Sequence, residues 1–325
     1  MTQARGETEF IPFKEADSMY VSNGKYIKLM EDCFQAQVEI QDRGFSVCGT
    51  QKAIFQIRSI LEILETQRDK KIDVDQHMVS YLCQLAAADR LEDFFALSNE
   101  PILVTPKGVS IRGKTLGQNM YIDAVRNHEL VFCLGPAGSG KTFLSVAMAV
   151  AAFRKKEVSR IILTRPAVEA GERLGFLPGD LQEKVDPYMR PIYDALQELL
   201  GEEAFFRYSE RKLIEVSPLA FMRGRTLDDA FIILDEAQNT TVDQMKMLLT
   251  RIGMNTKTCI CGDVTQIDLP RGVKNGLTDA AFLLQEVKGI RTISLLESDI
   301  VRNPLVQRIV KAYNGRDNIA EEDVI

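Results

Sequence analysis

The chain has no tryptophan, only two histidines (His77 and His128) among 325 residues, and no C-x-x-C pair among its six cysteines. A zinc centre built from the usual nitrogen and sulfur ligands is therefore not expected. Cys33, Cys48, Cys83, Cys133, Cys259 and Cys261 are scattered, four of them inside apolar runs, as suits buried free thiols. Cys259 and Cys261, two apart on an expected strand, face the same side. No apolar run approaches the ~18 residues needed to span a bilayer. Met1 to Phe13 carries charges, Gly and Thr but no apolar core of a secretory signal. The expectation is a soluble cytoplasmic protein with no membrane partner. Internal repeats and low-complexity tracts are also missing. What is present is a composition of folded character, 45% apolar and 26% charged, with a net charge of -6. That charge argues against a general nucleic-acid coat held by counterion release, so polyanion binding would depend on local clusters of Lys and Arg.

The length suits a core domain with an accessory one. Residues 1–18 lack periodicity and read as a tail or a loosely attached strand. A small α+β module follows within 19–98. It comprises a helix (Tyr26 to Phe34), a strand (Gln37 to Ile40), a turn at Asp42-Arg43-Gly44, a strand (Phe45 to Cys48) and a helix from Gln51 to Arg68 with Ile54, Ile57, Leu61 and Leu64 on one face. More helical material occupies 75–98. A basic connector with Lys107, Arg112 and Lys114 covers 99–117. From 118 to 325 apolar strands at 130–134, 160–164, 213–217, 230–235, 258–262 and 289–296 alternate with amphipathic helices. Continuous apolar runs of this kind indicate a parallel sheet covered on both faces, an α/β domain whose ligands bind at the carboxyl ends of the strands.

The strongest motif sits at the first such strand end. Gly135-Pro136-Ala137-Gly138-Ser139-Gly140-Lys141-Thr142 is a full G-x-x-x-x-G-K-[ST] between the run Leu130 to Leu134 and the helical run Phe143 to Phe153. Strand, glycine-rich loop and helix make a phosphate-binding loop. Gly135, Gly138 and Gly140 let backbone N–H groups wrap the β-phosphate. Lys141 brings a mobile positive charge toward the β- and γ-phosphates, and Thr142 offers a hydroxyl to magnesium. Downstream, Phe231 to Leu234 delivers Asp235 and Glu236 at a strand end. An unpaired carboxylate there would be costly, so Asp235 reads as the magnesium partner, and Glu236 as the base or orienter of the attacking water. Both acids also suit a helix N-terminus.

Gln266, in Gly262-Asp263-Val264-Thr265-Gln266, closes the next strand and is a candidate γ-phosphate sensor. Charge on a transferred phosphoryl group calls for an arginine. Arg302, before the last helix, is favoured for it over Arg165, which reads as structural or facing nucleic acid. Gln118 and Tyr121 precede the loop and are candidates to read and stack on an adenine, and no N-K-x-D element for guanine occurs. ATP is the expected nucleotide. The segment from Arg165 to Leu196 is long for a strand connection and interleaves Arg173, Lys184 and Arg190 with Tyr188 and Tyr193, a pattern that fits single-stranded nucleic acid or a subunit contact. Arg223 and Arg225, in Met222-Arg223-Gly224-Arg225-Thr226, follow another strand end and either bind phosphates or cap the next helix.

Longer strings make the resemblance specific. Leu163-Thr164-Arg165-Pro166-Ala167-Val168-Glu169-Ala170-Gly171-Glu172, Gly175-Phe176-Leu177-Pro178-Gly179-Asp180-Leu181, Asp235-Glu236-Ala237-Gln238-Asn239-Thr240-Thr241 and Gly262-Asp263-Val264-Thr265-Gln266-Ile267-Asp268-Leu269-Pro270, with the phosphate loop, closely resemble the bacterial PhoH-like proteins over about 107–314. The resemblance implies a RecA-like P-loop NTPase core related to superfamily 1 helicases, with ATP and Mg2+ as ligands and RNA as substrate. By position it implies adenine reading for Gln118, phosphate and magnesium roles for Lys141 and Thr142, metal and water roles for Asp235 and Glu236, and γ-phosphate sensing for Gln266. It further implies a homo-oligomeric ring, with a hexamer as the candidate size, and a functional link to a small rRNA-processing endoribonuclease. One core per chain fits a ring in which Arg302 would act as a finger. The N-terminal module resembles the family's KH-like region through Val38 to Gly44, but it lacks the G-x-x-G of an RNA-clamping KH domain. The expected activity is a Mg-dependent ATPase acting on RNA as a helicase or remodelling factor. The rival readings are a nucleotide-switched scaffold for RNA or a nuclease, and a protein-remodelling ring.

Overall fold

The computed structural model describes residues 6–14, 24–70, 72, 74–95, 100–166, 181–270, 272–301, 306 and 309, with the main chain alone over 181–187. The chain divides into two compact units, Met1–Leu97 with Arg302–Ile325, and Ser98–Val301.

The first unit holds an antiparallel sheet in the order β1-β3-β2, made of β1 (Glu7–Pro12), β2 (Gln37–Gln41) and β3 (Gly44–Gly49). The expected tail is thus partly a true strand: Ile11 pairs with Phe45 and Glu9 with Val47, putting Ile11 on the buried face. Helices α1 (Lys25–Phe34), α2 (Gln51–Asp69), α3 (Gln76–Ala87) and α4 (Leu91–Phe95) complete the unit. Thr50 caps α2 by accepting from the Ala53 N–H, and the apolar stripe Ile54, Ile57, Leu61 and Leu64 is buried.

The second unit opens with a hairpin of β4 (Leu103–Val104) and β5 (Ser110–Ile111), inside the stretch read as a connector. Helix α5 (Leu116–Asn127) then leads into the main sheet: β6 (Leu130–Leu134), α6 (Lys141–Arg154), β7 (Arg160–Arg165), α7 (Leu181–Leu200), α8 (Glu202–Glu210), β8 (Ile214–Pro218), β9 (Ala230–Leu234), α9 (Val242–Leu249), β10 (Lys257–Gly262), α10 (Gly276–Leu283) and β11 (Ile290–Ser294). All six strands are parallel, in the order β11-β6-β10-β9-β7-β8. Alternate residues feed two cores. Val131, Cys133, Ile161, Leu163, Phe231 and Ile233 face α5, α6 and α7, while Leu130, Phe132, Ile162, Ile232, Leu234 and Ile260 face α9 and α10. Helix α6 is buried nearly all round, which explains its unbroken apolar sequence after Lys141-Thr142.

Register levels the strand ends. Leu134 lies opposite Gly262 and Thr164 opposite Leu234, so the residues that follow β6, β7, β9 and β10 emerge along one rim. From β6 the chain crosses to β7, beyond β10 and β9, and only β11 comes to the other side of β6; such a reversal of strand order is where open α/β sheets form their clefts.

Candidate functional site

At that rim lies a cleft of about 310 Å3, lined by the phosphate loop, Arg165, Asp235, Glu236, Asp263 and Gln266, with Phe143, Pro191 and Ala195 among its walls. The loop Gly135–Gly140 is shaped by backbone that side chains would oppose. Gly138 and Gly140 have φ of 85° and 86°, and a Cβ on Gly135 would stand 2.7 Å from the Leu295 side chain. Gly140 caps α6 without a side-chain acceptor, so the N–H groups of the first turn remain available to an anion at the positive end of the helix.

The polar side chains of the loop, and one of its N–H groups, are held from within the loop and by its neighbour. The Lys141 ammonium, 9% exposed, donates to the Gly135 and Pro136 carbonyls at 2.7 and 2.9 Å. The Ser139 hydroxyl donates to the Pro136 carbonyl at 2.8 Å. The Ala137 N–H donates to Asp263 Oδ2 at 2.9 Å, while Asp263 Oδ1 accepts from the N–H and hydroxyl of Thr265. Asp263 therefore braces the loop from the neighbouring strand end.

Asp235 is 2% exposed; its Oδ1 accepts the Thr142 hydroxyl at 2.6 Å and its Oδ2 accepts from the Arg165 guanidinium. Next to it Glu236 adopts a left-handed backbone (φ 53°, ψ 35°), uncommon for a residue with a side chain and frequent at functional turns. Its Oε2 accepts the Gln238 amide at 2.6 Å, and the other end of that buried amide accepts the Asp263 N–H at 3.0 Å. Gln238 thus links Glu236 to the brace on the loop. Gln266 lines the same cleft with its side chain exposed.

The structure brings Lys141, Thr142, Asp235, Glu236 and Gln266 into one cleft and corrects several other assignments. Tyr121 does not face a base. It is fully buried, its hydroxyl 2.6 Å from Ser145 Oγ, because its helical spacing with Gln118, Ile122 and Val125 turns it into the core. Gln118, 4% exposed, is engaged at both ends of its amide: Nε2 donates to the Ser139 carbonyl at 2.9 Å and Oε1 accepts the Lys114 N–H at 2.8 Å. Here it grips the phosphate loop, and reading an adenine would require one of these bonds to open. Of the two readings of Arg165, structural or facing nucleic acid, the geometry agrees with the first: its side chain turns inward to Asp235. Arg225 is engaged elsewhere in this structure: it forms a forked pair with Glu215 on β8. Arg190 and Arg223 are exposed. The assignments of Arg173 and Arg302, and of the Lys184 side chain, fall outside the described residues.

Arg225 holds the Glu215 carboxyl below its ordinary 4.5, overcoming the opposing effect of burial. A depressed carboxyl stabilises the fold above its unfolded value and loses that contribution as pH falls through the folded one. Both side chains are about one-third exposed, so solvent screening keeps the effect small. Arg225→Met is expected to cost about 0.5–1 kcal/mol at pH 7 and nothing once pH is below the lowered pKa, read by denaturant melts at both pH values.

Cys83, Cys133, Cys259 and Cys261 are buried as expected, whereas Cys33 is exposed and Cys48 half-buried. Burial, then the Asp235 charge, pushes Cys261 up to about 11, and Ser145 Oγ lies 3.1 Å from its sulfur. Burial likewise raises Cys133 and Cys259. These are packing groups without thiolate chemistry at neutral pH. Among the described residues no cluster of three or more His, Cys, Asp or Glu side chains is arranged to hold a metal, and no helix is long and apolar enough to cross a membrane.

A parallel sheet with a phosphate loop after one strand, a carboxylate facing its Thr from a nearby strand end and a second acid beside it defines a P-loop nucleoside triphosphatase core. Comparison with known proteins agrees: the family model described as "PhoH-like protein" matches residues 110–314. A PhoH-like protein of Bacillus subtilis is 49% identical over 93% of this chain and 95% of its own length. Protein PhoH of Escherichia coli K12 is 40% identical over 82% of this chain and 74% of its own. The chain belongs to the PhoH-like family. Among solved structures, Pif1 helicase from Candida albicans aligns with 62% of this chain and 43% of that one at 17% identity and a TM-score of 0.34, too distant to bear on function.

Proposed function

We propose that this protein hydrolyses ATP with magnesium and uses the cycle to remodel RNA. The observation that carries the hydrolytic part is the pair Asp235–Glu236 at the strand end facing Lys141 and Thr142, with the Glu236 carboxylate fixed by Gln238. Thr142 and Asp235 present hard oxygens beside the phosphate loop, a donor set that fits magnesium, which takes one or two protein oxygens and completes its shell with phosphates and water. When bound, the ion neutralises charge on the β- and γ-phosphate oxygens.

The chain's own groups do the rest. Lys141 exchanges two loop carbonyls for phosphate oxygens, the N–H groups at the head of α6 hold the β-phosphate, and Glu236 orients the attacking water and takes its proton. Gln266, exposed in the same cleft, meets the γ-phosphate. The absence of a guanine-reading N-K-x-D supports ATP over GTP.

The RNA part is supported by exposed Arg190, next in sequence to the cleft residue Pro191, and by exposed Arg223 just beyond the carboxyl end of β8. Exposed guanidinium groups near the strand ends suit the backbone charge of a single strand. The test is steady-state hydrolysis with no nucleic acid, with single-stranded RNA and with single-stranded DNA, followed by unwinding of a tailed RNA duplex. Severalfold stimulation by RNA supports the reading. Turnover indifferent to every nucleic acid would sink it in favour of a nucleotide switch or a protein remodeller.

A further inference from the structure

The guanidinium of Arg165 already neutralises the carboxylate that faces Thr142, the group a metal in this cleft would use. Of the two oxygens of Asp235, Oδ1 takes the Thr142 hydroxyl at 2.6 Å, and Oδ2 takes Arg165 Nε at 2.9 Å together with Nη2. The pair is nearly dry, with side chains 14% and 3% exposed. The remaining nitrogen, Nη1, donates to the main-chain carbonyl of Tyr188 on α7. One side chain, on the last residue of β7, therefore ties the acid of the site to a helix whose next residues, Pro191 and Ala195, line the cleft.

A buried carboxylate requires a counter-charge. Arg165 supplies it here, and a divalent ion on Asp235 would supply it in its place. Two cations on one carboxylate share its single charge, and at short range in a water-poor cleft they repel. We infer that Arg165 is a built-in competitor of the metal: it keeps Asp235 neutralised until nucleotide and metal displace it, and its departure releases α7 at Tyr188. It is a positioning residue, and its movement conveys occupancy of the cleft to the helix bearing Arg190. This inference rests on the P-loop ATPase reading above.

The test uses the full-length protein and Mn2+ as the probe, with free Mn2+ followed by electron paramagnetic resonance in the absence of nucleotide. Arg165→Gln is expected to bind Mn2+ about tenfold more tightly than the unaltered protein, because the competing charge is gone. Adding Asp235→Asn should erase the gain, which assigns it to this carboxylate. Arg165→Lys keeps a positive charge but not the fork, so it should retain weak Mn2+ binding and lose the tie to Tyr188. Hydrogen exchange reads that tie: amides of 188–195 should exchange faster when Mn2+ and a non-hydrolysable ATP analogue are added to the unaltered protein, and should already be fast in Arg165→Lys and Arg165→Gln. An ion pair of purely structural use predicts altered melting in the variants with unchanged Mn2+ affinity, and that result overturns the inference. A fluorescent ATP analogue titrated with Mg2+ present separates the two levels. If it binds while Mn2+ affinity ignores Arg165, only the inference fails; if it does not bind, the P-loop reading falls and takes the inference with it.

Discussion

Lys141→Ala is expected to lower ATP turnover about a thousandfold, equivalent to about 4 kcal/mol of lost transition-state stabilisation. The ammonium is the one cation built into the phosphate loop, and the structure shows its two present partners to be backbone carbonyls of that loop, Gly135 and Pro136. Those carbonyls can turn to water when the side chain is removed, so the fold should be little affected. The loss is then one of charge at the γ-phosphate rather than of structure. Phosphate release under saturating nucleotide, with a denaturant melt as the control, separates the two.

Glu236→Gln is expected to reduce kcat by about 10²- to 10⁴-fold while leaving nucleotide affinity close to that of the parent, because the group acts on water and not on the bound phosphates. The substitution is sterically gentle. Gln238 now donates to Glu236 Oε2 at 2.6 Å, and the carbonyl oxygen of a glutamine at 236 can accept the same bond. The left-handed backbone at 236 is also retained, since the side chain changes only at its tip. A matching loss of affinity and turnover would mean that Glu236 holds the nucleotide or its metal instead. Fluorescent-nucleotide titration beside single-turnover hydrolysis distinguishes these cases.

The strands were legible because each is a short, continuous apolar run bounded by Gly, Pro or polar residues, which leaves a buried parallel strand as the economical reading. The six expected runs correspond to β6 through β11, within a few residues at their ends. The phosphate loop was legible for a local reason too: every residue it needs is contiguous. What the sequence concealed is neighbourhood. Arg165 meets Asp235 only because β7 pairs with β9, with Thr164 opposite Leu234, and no run of residues announces that pairing. Arg225 reaches Glu215 for a similar reason, the chain turning back through the short helix at Leu219–Met222.

Gln238 and Asp263 carry no mark of a site role in the sequence, although both lie inside the strings that carry the resemblance. Their work is to hold other groups, Glu236 in one case and the Ala137 N–H in the other, and a bracing role has no signature beyond a polar residue at a strand end. Tyr121 is a different kind of miss. The spacing Gln118, Tyr121, Ile122, Val125 is that of one helix face, and its period already placed the ring in the core, where the structure puts it. Helical periodicity outweighs proximity in sequence to a nucleotide motif when the two conflict.

The most direct test of the central claim is steady-state phosphate release from ATP by the purified full-length protein with magnesium, run beside Lys141→Ala and Glu236→Gln. The account predicts turnover by the parent that falls to background in the first variant and nearly so in the second, with nucleotide still bound by the second. Equal phosphate release from all three proteins would contradict it, as would a parent protein that binds no nucleotide.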